Sequence, residues 1–358
     1  MAEQRTLTYI QVESEALLGG VISAGIGVLV GFFAFWGKEP ALSDPGSGGW
    51  SVGMVAALTA GLSAFVCSLI GYWRVRRQTE QAWRRSLALW QTVVDFLAVA
   101  LAHMIVIAVL VYAMFAVLQA SFRGLQIDQL WGSVSVAVAA GLAGYVVQLS
   151  VSALSSVRLV SLLVVFLLVS SLASMVAAPE PKWWIHNFSR LGTYDTPSAW
   201  LFNFSLVAAG LLLMCFALYL NRDLRTIAEA GQLHTPSAPA IVSAGFLLTG
   251  MCIIGAGLVP VNRSILVHNI FATGMLVVVM SIISLSGWLL LGLPWQVLAM
   301  TYGFLAALAL TIVLWAAAGY FSFTAMEFTC FTLVFGWISV FIRMISAQVE
   351  YVRSERAA

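Results

Sequence analysis

Seven polar residues in the second half of this chain have side chains able to hold or process a polar molecule: His186, Arg190, Asp195, Asn203, His268, Asn269 and Glu327. Together they supply two carboxyls, two imidazoles, a cation and hydrogen-bonding amides. Glu327 and His268 are of the types that make an acid/base pair, a carboxyl and an imidazole able to pass a proton. Ionisable groups within apolar stretches are costly in a bilayer, so each marks a functional position by default. The competing reading is structural: His186, Arg190 and Asp195 would be surface loop residues, and His268 and Glu327 would satisfy each other.

Asp95 and His103 form a second set, a candidate intramembrane proton relay. Eight residues separate them, about 12 Å along a helix axis. They are also rotated by about 80°, so they do not share one face cleanly. A single buried histidine is commonly a hydrogen-bonded packing residue, which is the opposing reading here.

The absences narrow the chemistry. The sequence has no HExxH motif, P-loop, dinucleotide fingerprint or EF-hand pattern. Cys67, Cys215, Cys252 and Cys330 are far apart in apolar segments, so neither a zinc site nor a disulfide framework is expected. No cofactor and no metal are expected. The net charge of +2 gives no reason to expect a nucleic-acid partner.

The elements that must position these residues are membrane helices. Only 9% of the 358 residues are charged and 61% are hydrophobic, against roughly 25% charged in an ordinary soluble domain. Too few charges exist to cover a globule, whereas a bilayer removes that need. Apolar stretches of about 20 residues, the length of one crossing, recur at 16–36, 52–73, 91–120, 131–152, 157–177, 198–220, 239–259, 267–291, 295–317 and 321–345. The expected fold is an all-α polytopic transmembrane bundle of about ten spans. The polar start, MAEQRTLTYIQVESEA, lacks a basic n-region and a cleavage site, so no cleaved signal peptide is expected.

Charge orients the stack. Arg74, Arg76, Arg77, Arg84 and Arg85 lie between the second and third spans, which makes that loop cytoplasmic by the positive-inside rule. Both termini then fall inside, with Arg158, Arg222, Arg225, Arg343, Arg353 and Arg356. Arg123, Lys182, Arg190 and Arg263 run against the bias. The loop at 37–51, with Pro40, Asp44 and Pro45, falls outside. The loop at 178–197, APEPKWWIHNFSRLGTYDTP, falls outside too. It is too apolar and aromatic for a solvated linker, and is expected to lie along the membrane surface or fold back as a cap. Trp36, Trp50, Trp73, Trp90, Trp131, Trp183, Trp184, Trp200 and Trp295 suit an interfacial belt. Small residues in the first span (Gly20, Gly25, Gly27, Gly31) and the fourth (Gly141, Gly144) suggest close helix contacts.

On this orientation the seven polar residues of the first set share the outer side. Glu327 lies about 9 Å deep, two turns into the last span. The five arginines of the second loop should attract anionic inner-leaflet lipids at about 1 kcal/mol each, or serve only as the topology signal.

From about 155 to 350 the chain resembles a prokaryotic integral-membrane family catalogued as domain of unknown function 998. The resemblance rests on the segment SRLGTYDTPSAWLFNFSLVAAGLLL, on GLVP at 257–260, on VNRSILVHNIFA at 261–272, and on an acidic residue near the outer end of the last span, Glu327. The family pattern pairs a Ser-x-Leu-Gly element and a Phe-Asn with a later Gly-x-Pro and a histidine. Ser189, Leu191, Gly192, Asn203, Gly257, Pro260 and His268 correspond to it. One departure is Phe328, where the resemblance leads to an arginine after the glutamate. The resemblance implies a six-span block and a prokaryotic cytoplasmic membrane, and no reaction.

The expected organisation is a four-span block at 1–153, a six-span block at 154–350 and a cytoplasmic tail at 351–358. Three functions follow. The first is binding or movement of a lipid or small amphiphile through an outer-leaflet polar cavity. The second is a membrane enzyme of lipid or cell-envelope metabolism. The third is a non-catalytic structural or regulatory subunit. A transporter built from repeated halves is disfavoured, because no convincing repeat is present.

Overall fold

The computed structural model describes residues 2–43, 49–77 and 79–357. Asp44 and Pro45 lie outside the described residues, as does the side chain of Arg77. Among the described residues ten helices are long and apolar enough to cross a membrane, and there is no β-strand. They are α1 (Ala2–Ala34), α2 (Val52–Arg77), α3 (Leu89–Ser121), α4 (Gln129–Ser152), α5 (Ser156–Val176), α6 (Pro197–Glu229), α7 (Ala238–Leu258), α8 (Ile265–Leu289), α9 (Trp295–Ala316) and α10 (Phe323–Ala357).

Each expected span is a helix, and the differences lie at the ends. α6 runs to Glu229 and α10 to Ala357, well past the apolar windows. In α10 the extension keeps an apolar stripe, with Ile345, Val349 and Val352 buried at helical spacing while Arg353 and Arg356 stay exposed. Hydropathy marks where a helix can meet lipid, not where its backbone ladder stops.

The chain divides into two compact units, 1–154 and 155–358. In the N-terminal unit α1 lies along α4, and α2 packs against α3 and α4. The α1–α4 contact is made by the expected small residues. A Cβ on Gly27 would come within 2.7 Å of the Ala137 Cα, and one on Gly31 within 2.6 Å of the Ser133 Cα. Lipid offers no hydrophobic drive between apolar helices, so such backbone-to-backbone approach supplies the van der Waals contact that holds them.

In the C-terminal unit α6 packs against α5, α7 and α10, α8 lies on α7, and α9 sits beside α8 and α10. Trp337 of α10 stacks between Phe246 and Phe341, with ring centroids at 5.9 and 5.2 Å. Its indole N–H donates to the Thr301 hydroxyl at 3.3 Å. The segment between α5 and α6 contains two short 3-10 turns, Trp183–Ile185 and Phe188–Gly192, and the second packs on α6 and α10. Thr196 then caps α6, with Pro197 in its first turn, where a missing N–H costs nothing.

Candidate functional site

The turn Phe188–Gly192 is where the polar groups of the C-terminal unit converge. Three helices each send one side chain to it. From α10, Glu327 accepts the Phe188 backbone N–H at 2.7 Å. From α8, the His268 ring nitrogen Nε2 lies 3.0 Å from the Ser189 hydroxyl. From α6, Asn203 donates its side-chain N–H to the Gly192 carbonyl at 2.8 Å. Glycine at 192 leaves room for this amide, because a Cβ there would come within 2.3 Å of Asn203 Oδ1 and displace the side chain. Asn262, in the α7–α8 loop, adds a bond to the Thr193 carbonyl at 3.0 Å.

His268 is buried and its orientation is set by the end of α7. Its Nδ1 stands 2.9 Å from the Val259 carbonyl and 3.2 Å from that of Ala256. The residue that would normally satisfy Ala256, four positions on, is Pro260, which has no N–H. Helix C-termini leave carbonyls without partners, and the imidazole supplies the missing donor. Carbonyls only accept, so Nδ1 carries the hydrogen. In the neutral ring Nε2 is therefore an acceptor and takes the Ser189 hydroxyl proton in a hydrogen bond.

His268 and Glu327 thus do not satisfy each other. They bond to adjacent residues of one turn, Ser189 and Phe188. The Phe188 ring fills the space beneath, against Trp183, Phe202, Phe328 and Phe331, with centroids 5.5 to 6.3 Å away. Phe328 is a member of this aromatic cluster. Asn187, at the start of the turn, has a buried side-chain oxygen with no hydrogen-bond partner.

The other expected residues divide. His186 and Arg190 meet on Glu180. His186 Nε2 lies 3.3 Å from Glu180 Oε1, and Arg190 Nε lies 3.3 Å from Oε2. The Tyr194 hydroxyl also donates to Glu180 Oε2. Arg190 Nε reaches that hydroxyl at 3.2 Å, and its guanidinium lies 5.2 Å from the Tyr194 ring centroid. The Tyr194 hydroxyl, then Arg190 and His186, hold the Glu180 carboxyl below its ordinary range. Partial burial and the neighbouring Glu180 raise the Tyr194 phenol, and Tyr194 followed by Glu180 raises the already high Arg190. Asp195 and Asn269 are exposed and join neither group.

Glu180 and Tyr194 were not read as site residues. Charged and phenolic groups in a loop that already mixes both charge signs with aromatic rings give little contrast against their surroundings. Ser189 was visible as a member of the Ser-x-Leu-Gly element, though not as the partner of His268. A further buried acid, Asp223 of α6, accepts from the Ser156 hydroxyl at 2.5 Å; its place beside Arg222 in a charged segment concealed it.

In the N-terminal unit Asp95 and His103 are both buried in the bundle, but they bond to different helices. Asp95 accepts from the Tyr72 hydroxyl of α2. His103 Nδ1 bonds the Val99 carbonyl at 2.8 Å, and its Nε2 bonds the Ser150 hydroxyl of α4 at 3.0 Å. These partners lie on different helices, α2 for Asp95 and α4 for His103. The expected arginine patch is divided as well. Arg84 is fully buried, its guanidinium 5.2 Å from the Tyr72 ring centroid, so it does not face lipid. Arg74 is paired with Glu15 at 2.9 Å. Arg85 is exposed.

A groove of about 540 Å³ lies between α1 and α2 and is lined by residues such as Ile22, Ile26, Leu58 and Leu62. Its walls are apolar and carry none of the candidate polar groups. Among the described residues no group of three or more His, Cys, Asp or Glu is placed to hold a metal ion. Comparison with family models, with curated proteins and with solved structures finds no match. Ten apolar helices define the chain as a multi-pass integral membrane protein of the all-helical class.

Proposed function

We propose that the loop-bearing end of the C-terminal unit binds the phosphate-bearing head of a membrane lipid. The observation that carries this reading is Arg190. Both of its hydrogen bonds leave from Nε. Its two terminal amino groups have no protein partner among the described residues, and the side chain is 42% exposed. A guanidinium braced along one edge and open along the other suits bidentate binding of a phosphate. Trp184, Ile185 and Trp200 are exposed at the same end, as expected of side chains that sit among lipid headgroups. Three helices fix the turn, so the binding group is held in place before the lipid arrives, which limits the ordering cost.

Full-length protein in detergent, titrated with phosphatidylglycerol and with diacylglycerol and read by native mass spectrometry, tests this. Phosphatidylglycerol should bind more tightly. Arg190→Gln should weaken it roughly tenfold to a hundredfold, as loss of a charge-assisted bond worth about 1.5–3 kcal/mol implies. Equal binding of the two lipids, or an unchanged affinity in the variant, would rule the reading out.

The same proposal assigns the chain to a prokaryotic cytoplasmic membrane, with both termini inside and the loop at 178–197 outside. The charge bias supports this orientation. Gathering of Ser189, Gly192, Asn203 and His268 about one turn supports membership of the unknown-function family over about 155–350. Anionic inner-leaflet lipids at the opposite face would then meet Arg85, and Arg74 only in competition with Glu15.

A further inference from the structure

We infer that Ser189 and His268 form a nucleophile–base pair that cleaves an ester bond of an acylated amphiphile. The substrate class rests on the lipid-head reading above; the chemistry rests on the pair itself. The Ser189 hydroxyl is 3.0 Å from His268 Nε2, within the range for proton transfer from a nucleophile to its base. The base is oriented by a third element, since Nδ1 is fixed by the Val259 and Ala256 carbonyls. That leaves the Nε2 lone pair directed at the serine, the tautomer a serine nucleophile requires. The serine stands on a 3-10 turn at the end of the bundle, partly exposed, beside Arg190. An amphiphile whose phosphate reaches Arg190 brings its ester groups to the same turn.

The step balances without any added redox partner. The Ser189 oxygen attacks the ester carbonyl carbon while its proton passes to His268 Nε2. The carbon–oxygen bond to the alcohol then breaks, and the departing alkoxide takes that proton from Nε2. Water attacks the resulting acyl-serine and gives a proton to Nε2. The acyl–Ser189 bond breaks, the serine recovers the proton, and a carboxylic acid is released. The buried, unpartnered oxygen of Asn187, two residues from Ser189, is an acceptor able to hold that water or the departing alcohol.

His103 and Ser150 supply an internal control, because they share the same ring pattern inside the N-terminal unit. Full-length protein treated with a hexadecyl fluorophosphonate and mapped by tandem mass spectrometry should carry the adduct on Ser189 and not on Ser150. Ser189→Ala should abolish it. His268→Gln should slow labelling about a hundredfold or more, the usual contribution of a general base. Since His268 also holds the turn, a second comparison separates chemistry from folding. Ser189→Cys should react with N-ethylmaleimide faster than Ser189→Cys combined with His268→Gln. The four native cysteines are all buried and should contribute little background.

Adduct formation at other serines only, or labelling of Ser189 that ignores His268, would overturn the inference. If Ser189 stays unlabelled while phosphatidylglycerol still binds through Arg190, the chemistry fails and the lipid-head reading stands. If Ser189 is labelled but no phospholipid preference exists, the lipid-head reading fails and the chemistry stands.

Discussion

The two serine–histidine pairs, Ser150–His103 and Ser189–His268, have the same ring chemistry and different support. In both, Nδ1 faces a backbone carbonyl and Nε2 faces a serine hydroxyl at 3.0 Å. His103 bonds the carbonyl of Val99, four residues back on its own helix. That carbonyl already has its helical N–H, so the imidazole adds nothing essential there. His268 bonds the carbonyls of Ala256 and Val259 on the preceding helix. Pro260 cannot satisfy Ala256, so the imidazole closes a helix end as well as gripping the loop. The first pair is one rung between α3 and α4. The second joins α7, α8 and the turn at Phe188–Gly192. A histidine in a membrane helix is therefore informative only together with the groups its two nitrogens serve.

The largest effect should come from deleting each ring in turn. His268→Leu leaves helix-end carbonyls and the Ser189 hydroxyl without their partner. Orphaned buried groups cost about 1–3 kcal/mol each, so a loss of about 2–4 kcal/mol is expected, with amide exchange rising across 178–197 and the end of α7. His103→Leu removes two hydrogen bonds, but the Val99 carbonyl keeps its helical N–H, and Ser150 can turn to its own helix carbonyl. About 1 kcal/mol is expected there, with no exchange change at helix ends. Similar losses and similar exchange patterns in the two variants would erase the distinction.

The two buried acids repeat the contrast at smaller scale. Glu327 accepts a backbone N–H from the turn, whereas Asp95 accepts a hydroxyl from a helix whose backbone is self-satisfied. Glu327→Leu strands the Phe188 N–H, at about 1–3 kcal/mol. Glu327→Gln keeps an acceptor oxygen and should cost about 1 kcal/mol or less. Hydrogen exchange at Phe188 should therefore accelerate strongly in the first variant and little in the second. Asp95→Asn should leave backbone exchange in α2 and α3 as it was. Should Glu327→Leu leave Phe188 protected, the glutamate is not what holds the turn.

These partners explain what was legible before the structure. Ten spans were readable because each needs about 20 apolar residues, a signal too long to arise by chance. Close helix contacts on α1 and α4 were readable from their glycines, since small residues mark close helix approach, but not that the two helices make those contacts with each other. His268, Glu327, Asp95 and His103 stood out because ionisable groups in apolar stretches are conspicuous. Their partners did not. A backbone N–H carries no sequence signal, and Ser150, Tyr72 and Ser189 are common residues at no special period. Counting arginines sets topology without seeing direction, so Arg84 is indistinguishable in sequence from its neighbours although its side chain is buried against Tyr72. Glu180 lacks the contrast that marks Glu327, since it lies in a loop outside the spans that also carries Lys182, His186, Arg190 and Asp195.

The smallest effect concerns that exposed glutamate, and it tests whether the loop is held from beneath or from above. Tyr194, Arg190 and His186 all favour the Glu180 carboxylate, so its folded pKa lies below the ordinary value of 4.5. A depressed carboxylate contributes stability that is complete above the unfolded value and fades as pH falls through the folded one. Loop protection from this network should thus be constant above about pH 4.5 and decline below it. The decline should be slight, because exposed ion pairs are screened by water and contribute little. Glu180→Gln should remove the acid-dependent part of the exchange within 178–197 and leave the neutral-pH unfolding temperature within about a degree. The bonds from Glu327, His268 and Asn203 lie beneath and persist in that variant. If Glu180→Gln instead released the whole loop at neutral pH, the surface network would be the clamp, and the buried groups of the three helices would be free for another task.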